Sequence, residues 1–134
     1  MRITADTNVL LRAIVGDDPV QSAVARQLLS SAEMVVVTVP TLCELTWVLR
    51  STYRQSTDDI CAVIRRLLET SNVLMNTPYV NAGLIIAEAG GDFADGVIAF
   101  EGQLLGSETF ATFDRAAHQL LSRSGTPSLL LSPT

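Results

Sequence analysis

The 134-residue chain has no lysine, and all nine of its basic residues are arginine. Without a lysine amine a Walker phosphate loop cannot be completed and a Schiff base cannot form. Receiver domains and haloacid-dehalogenase-type phosphatases also gather acids at strand ends. Both use a lysine at the phosphoryl group, so both are excluded. Histidine occurs once, at position 118, and cysteine twice, at 43 and 61. The cysteines have neither the spacing nor the neighbours of a zinc site and are expected to be free core thiols. His118 lacks a second nucleophile or a zinc cluster and reads as a structural or exposed side chain rather than a general base. Trp47 and Tyr53 are candidates to stack on bases, but Trp47, the single tryptophan, lies at helical spacing among apolar residues and reads rather as core or interface. There is no glycine-rich phosphate loop, since Gly90-Gly91 simply punctuates a helix end. No apolar run approaches the ~20 residues that a membrane helix needs. Arg2 is followed by Asp6 with no apolar segment between, unlike a signal peptide, so a cytoplasmic protein without a membrane partner is expected.

What the chain does contain is apolar residues, at 48%, against 17% charged. That excludes a disordered chain, which lacks the apolar area to offset its entropy. The length is that of one domain, expected over residues 1–134. A mean hydropathy of +0.33 is high for a soluble monomer and points to apolar surface that faces a partner. The net charge of −5 argues against a general nucleic-acid binder, which presents a basic field.

Along the chain, strand-length apolar runs alternate with helical periodicity. Arg2 to Ala5 leads into Asp6, and Val9, Leu10 and Ile14 mark a short helix. Asp17-Asp18-Pro19 is a helix start, with acids and proline at the first turn. Met34 to Val37 predicts a buried strand, followed by a helix carrying Leu42, Leu45, Val48 and Leu49. Ser56 with Asp59 resembles a capping box. A short strand is expected at Val73 to Met75, a helix from Thr77-Pro78 to Gly90-Gly91, and another from Asp92 to Leu104. Strands at Phe110 to Thr112 and at Ser128 to Leu131 flank a helix that begins at Asp114. This alternation predicts an α/β domain with a mainly parallel central sheet and helices on both faces.

Ligands of open α/β sheets bind beyond the carboxyl ends of the strands. Asp6 and Asp114 each follow a strand, and Glu44 lies one turn into the helix after the second strand. Asp92 and Asp95 share a face in the first turn of another helix. Taken singly, Asp6, Asp92 and Asp114 read as helix N-caps and Glu44 as a solvated helix position. Gathered at one edge, with no lysine to balance them, such carboxylates repel unless they are protonated or bridged by cations. Hard divalent ions such as Mg²⁺ or Mn²⁺ suit their oxygens.

Asp6-Thr7-Asn8 after a first strand resembles the opening of PIN-domain nucleases. Cys43-Glu44-Leu45, Asp92-Phe93-Ala94-Asp95 and Thr112-Phe113-Asp114 resemble the later motifs of that family, in order and across nearly the whole chain. The length resembles that of the small bacterial VapC-type toxins. The resemblance implies a single PIN-like domain and an acidic quartet of Asp6, Glu44, Asp95 and Asp114 as catalytic and metal-binding residues. Asn8, Asp92 and Thr112 would support it by orienting ligands or holding a water. Arg12 and Arg115 would meet the RNA, offsetting the acidic charge.

The expected protein is therefore a ribonuclease, an endonuclease dependent on one or two Mg²⁺ or Mn²⁺ ions. The resemblance further implies the toxin component of a toxin–antitoxin pair, a homodimer, and a small antitoxin whose tail blocks the acidic site. Two other readings stand beside it: a catalytically degenerate PIN-fold binding or scaffold module, and a metal-dependent phosphoesterase for small molecules.

Overall fold

Strands and helices follow one another in the order that the apolar pattern predicts. The computed structural model describes residues 1–133, which fold as two compact units, the first Met1–Asn76 and the second beginning at Thr77.

Unit 1 runs β1 (Arg2–Thr4), α1 (Thr7–Val15), α2 (Pro19–Ser31), β2 (Met34–Val36), α3 (Val39–Ser51), α4 (Thr57–Glu69) and β3 (Val73–Leu74). Its three strands pair in the order β1-β2-β3, all parallel, with Ile3 opposite Val35 and Val35 opposite Val73. Every crossover is helical, as parallel pairing requires. The helix boundaries have local causes. Gly16 ends α1 in the left-handed region at φ 71°, which a glycine adopts without Cβ strain. Asp18 caps α2 by accepting from the Gln21 amide at 3.1 Å, and Pro19 fills the first turn. The expected box at α4 forms, with Ser56 Oγ accepting from the Asp59 amide at 3.1 Å. Leu10, Leu11, Val35, Leu42, Leu45, Leu49, Ile60 and Ile64 build the buried interior of this unit.

Unit 2 runs α5 (Thr77–Glu88), α6 (Phe93–Leu104), β4 (Phe110–Thr112), α7 (Arg115–Arg123) and β5 (Ser128–Leu130). β4 and β5 form a parallel pair, with Ala111 opposite Leu129. α5 and α6 pack at close range because two glycines leave room. A Cβ on Gly96 would lie 2.5 Å from the Ala82 carbonyl oxygen, and one on Gly83 would lie 2.5 Å from the Phe93 ring. Phe93 is thereby seated at 1% exposure.

The fold class is α/β as expected, with parallel pairing throughout and, among the described residues, seven helices. Strand ends fall within a residue of expectation. Val37 still donates to the Leu74 carbonyl just past β2. Of the two readings of Trp47, core or interface, its 65% exposure removes the first. Cys43 is only half-buried, while Cys61 is buried, and burial pushes the Cys61 thiol up. Helical spacing placed Trp47 among apolar neighbours in sequence, yet the buried positions of α3 are Leu42, Leu45, Thr46 and Leu49, which put position 47 on the opposite side.

Candidate functional site

In unit 1 the parallel register of β1 and β2 brings their carboxyl ends to one edge, with Thr4 opposite Val36. Asp6 leaves β1 there and caps α1, its Oδ1 accepting from the Thr7 amide at 2.7 Å. Thr7 is buried, and its hydroxyl donates to Glu44 Oε2 at 2.9 Å. The threonine thus binds one acid through its backbone and the other through its side chain. Asp6 and Glu44 are brought together, and Thr7 fixes where both carboxylates stand. Sequence alone gives Thr7 no role beyond its place in Asp6-Thr7-Asn8. Its position directly after a capping aspartate was the available signal.

Asn8 is exposed in the first turn of α1. One turn further on, Arg12 is engaged by Asp17 at 2.6 Å, and Tyr53 Oη donates to the same carboxylate at 3.0 Å. The tyrosine hydroxyl and then the guanidinium hold the Asp17 carboxyl below its ordinary value, and Asp17 raises that of Arg12. Arg12 is therefore a partner within its own unit before it can be a phosphate contact.

Unit 2 carries the remaining acids. Asp92 caps α6, with Oδ1 accepting from the Ala94 amide at 3.0 Å. Asp114 caps α7, with Oδ1 accepting from the Ala117 amide at 3.1 Å. Thr112 Oγ1 accepts from the Asp114 amide at 2.9 Å, so Thr112 shapes the turn that presents Asp114. Asp95 sits half-buried in the first turn of α6. Burial, then the charges of Asp92 and Asp114, push its carboxyl above the ordinary value. Those charges act over short range, so Asp92, Asp95 and Asp114 belong to one electrostatic neighbourhood. Arg115 follows Asp114 directly and is exposed. His118 Nδ1 meets Ser128 Oγ at 2.8 Å, a structural tie between α7 and β5.

Capping and function do not compete here. Each cap occupies Oδ1 of its aspartate, and a carboxylate offers a second oxygen. Oxygen donors without thiolate or imidazole match Mg²⁺ or Mn²⁺ rather than zinc. A cation would also relieve the crowding that raises Asp95. Among the described residues, no group of three or more His, Cys, Asp or Glu is placed to hold a metal ion. By donor type alone, the carboxylates of each unit suit such a hard cation.

Among known families, the PIN domain model matches residues 3–120, nearly the whole chain and parts of both units. No curated protein matches the chain significantly.

Proposed function

The chain belongs to the PIN domain family, whose members are generally nucleases, and from that premise we propose that it is a ribonuclease dependent on Mg²⁺ or Mn²⁺. The observation that carries the reading is the Thr7 clamp. It holds Asp6 and Glu44 at the carboxyl edge of the parallel strands, where α/β sheets place ligands. Asp6, Glu44, Asp95 and Asp114 are the proposed ligands for one or two ions. The family match runs through both units, which supports one functional domain over residues 1–134.

A divalent ion at the proposed ligands would supply Lewis acidity toward the attacking water and the phosphodiester. The residues of the chain do the rest. Asp6 and Glu44 present oxygens whose positions Thr7 fixes, and Thr112 sets the turn from which Asp114 projects. Burial, and then the nearby charge of Asp92, push the Asp95 carboxyl up. One carboxylate accepts the proton of the attacking water, and hydrolysis leaves a 5′-phosphate and a 3′-hydroxyl. Arg115, exposed beside Asp114, is the arginine better placed to meet the substrate backbone, because Arg12 is committed to Asp17.

We further propose a toxin held in check by a small antitoxin. Supporting it, α1 and α2 border a groove of ≈290 Å³ whose lining includes Val9, Val20, Val24 and Leu28 together with Asn8 and Arg12. Val20 and Val24 are 75% and 66% exposed, surface that suits an apolar tail from such a partner. Self-association as a homodimer is the companion proposal, and sedimentation at micromolar concentration is expected to give twice 14.4 kDa. Among the described residues no helix is long and apolar enough to cross a membrane, and a cytoplasmic site of action is part of the same proposal.

The deciding experiment incubates the pure protein with an RNA pool in Mg²⁺, in Mn²⁺ or in EDTA, followed by end mapping. Cleavage with either metal that stops in EDTA is expected. Activity that persists in EDTA overturns the metal-dependent reading. RNA left intact beside turnover of a chromogenic phosphomonoester favours a small-molecule phosphoesterase, and no turnover of either favours a binding module.

A further inference from the structure

α3 carries an aromatic ring that the fold leaves outside. Trp47 is 65% exposed, although burying an indole is among the larger apolar gains available to a chain. It stands three residues after Glu44, and residues at that spacing are neighbours on a helix surface, about 5–6 Å apart at Cβ. Glu44 is the acid that Thr7 ties to the Asp6 edge. The ring therefore flanks the candidate catalytic edge within unit 1.

Its own helix face does not resemble a protein-binding stripe. The positions one turn away are Cys43, Glu44, Arg50 and Ser51, so Trp47 is a single aromatic among polar and charged neighbours. α2 offers the contrast, since Val20 and Val24 recur at helical spacing and line an apolar groove. The arginines also cluster around this ring in sequence. From Leu45 to Arg66 the chain has Arg50, Arg54, Arg65 and Arg66 against Asp58 and Asp59, in a protein that is acidic as a whole. An exposed indole beside a locally cationic segment is the combination by which proteins hold single-stranded nucleic acid, with the base on the ring and the backbone near the arginines.

We propose that Trp47 is a stacking platform for an unpaired base next to the scissile phosphate. The proposal rests on the nuclease reading, since it takes Glu44 to mark the reacting edge. A base in a duplex is stacked on both faces and cannot lie on an indole without being unpaired, so the platform selects against double-stranded RNA.

Trp47 is the only tryptophan in the chain, so its emission reports on the platform directly. The protein is titrated with a short single-stranded RNA in buffer with Ca²⁺ in place of Mg²⁺, and with the same RNA annealed to its complement. Saturable quenching by the single strand, and little by the duplex, is expected. Trp47→Ala should weaken binding of labelled single-stranded RNA by roughly tenfold to a hundredfold, measured by anisotropy, and Trp47→Phe should lose less. In cleavage assays Trp47→Ala should raise KM more than it lowers kcat, as loss of uniform binding does. Because the side chain is mostly exposed, its truncation leaves little cavity, and circular dichroism checks that the fold is kept.

Failure to bind single-stranded RNA, binding without quenching, or equal affinity in Trp47→Ala overturns the proposal. So does an emission change that follows protein concentration alone, with sedimentation showing a dimer that Trp47→Ala dissolves, because the ring is then a protein interface. The two readings fail separately. Quenching without any metal-dependent cleavage removes the nuclease reading and leaves the platform, whereas cleavage with unchanged KM in Trp47→Ala removes the platform alone.

Discussion

Unit 1 and unit 2 handle acidic residues in opposite ways. The first 76 residues carry seven arginines against eight carboxylates, and the remainder two against six, so most of the net −5 lies in unit 2. In unit 1, Asp17 accepts from Tyr53 and Arg12, and its carboxyl is pulled down. In unit 2, Asp95 is half-buried beside Asp92 and Asp114, and its carboxyl is pushed up. A carboxylate satisfied by donors adds to stability, and one left among like charges subtracts from it. Both units use acids as helix caps, but unit 1 pairs Asp17 with donors while unit 2 holds Asp95 half-buried near two like charges.

The largest expected effect is at the four proposed ligands. Asp6→Asn, Glu44→Gln, Asp95→Asn and Asp114→Asn should each lower RNA cleavage by orders of magnitude with the fold intact, measured by gel assay at saturating Mn²⁺. A variant that keeps wild-type cleavage would remove that acid from the proposed ligands.

Next come the residues that position those acids. Thr7→Val removes the hydroxyl that donates to Glu44 while keeping size and the amide bond to Asp6. Asp92→Asn removes a neighbouring charge from Asp95. Each should cost roughly 10–100-fold in kcat, less than loss of a proposed ligand. If Asp92→Asn proves more damaging than Asp95→Asn, the two have exchanged roles by one helical turn.

Smaller effects come from packing, seen in stability rather than in rate. Gly96→Ala would drive a Cβ against a backbone oxygen between α5 and α6, with no flexible side chain to yield, and should destabilise by about 1–3 kcal/mol in urea titrations. In unit 1, Gly16→Ala places a Cβ in the left-handed region, at a cost of about 1–2 kcal/mol. A negligible effect at Gly96 would mean that the α5–α6 contact is looser than drawn.

The smallest effect is in pH dependence, and its sign differs between units. The folded value of Asp17 lies below its unfolded value, so its contribution is present above the unfolded pKa and is lost as pH falls through the folded one. Asp95 is raised, so it disfavours the fold above its folded pKa, and that cost fades as pH falls toward the unfolded value. Melting at neutral pH in EDTA should therefore show Asp17→Asn below wild type and Asp95→Asn above it. Mn²⁺ should raise the wild-type midpoint more than that of Asp95→Asn. If Asp95→Asn melts lower in EDTA and wild type gains nothing from Mn²⁺, unit 2 holds no cation.

Most of the element order was legible because its signals are local. Asp18 with Pro19, Ser56 with Asp59, and Gly16 each act within one turn, and the structure repeats them as caps and stops. The acids at strand ends were legible for the same reason, since a residue that follows a parallel strand must emerge at its carboxyl end. Both readings of Asp6, Asp92 and Asp114 were visible too. They are caps, and capping leaves the second oxygen of each available.

Contacts between distant residues were not legible. The pairing of Thr7 with Glu44 spans 37 positions, and the Tyr53–Asp17 bond spans 36. Arg12 read as a candidate phosphate contact because its engagement depends on where Asp17 and Tyr53 meet. By itself the sequence determined the α/β class, the caps, the parallel pairing and the set of candidate acids, because these follow from spacings of a few residues. Only the tertiary structure decided that Thr7 joins two acids, that Arg12 is committed and that Trp47 faces outward. Burial and partnership depend on what packs from elsewhere in the chain, and periodicity along one helix does not contain that information.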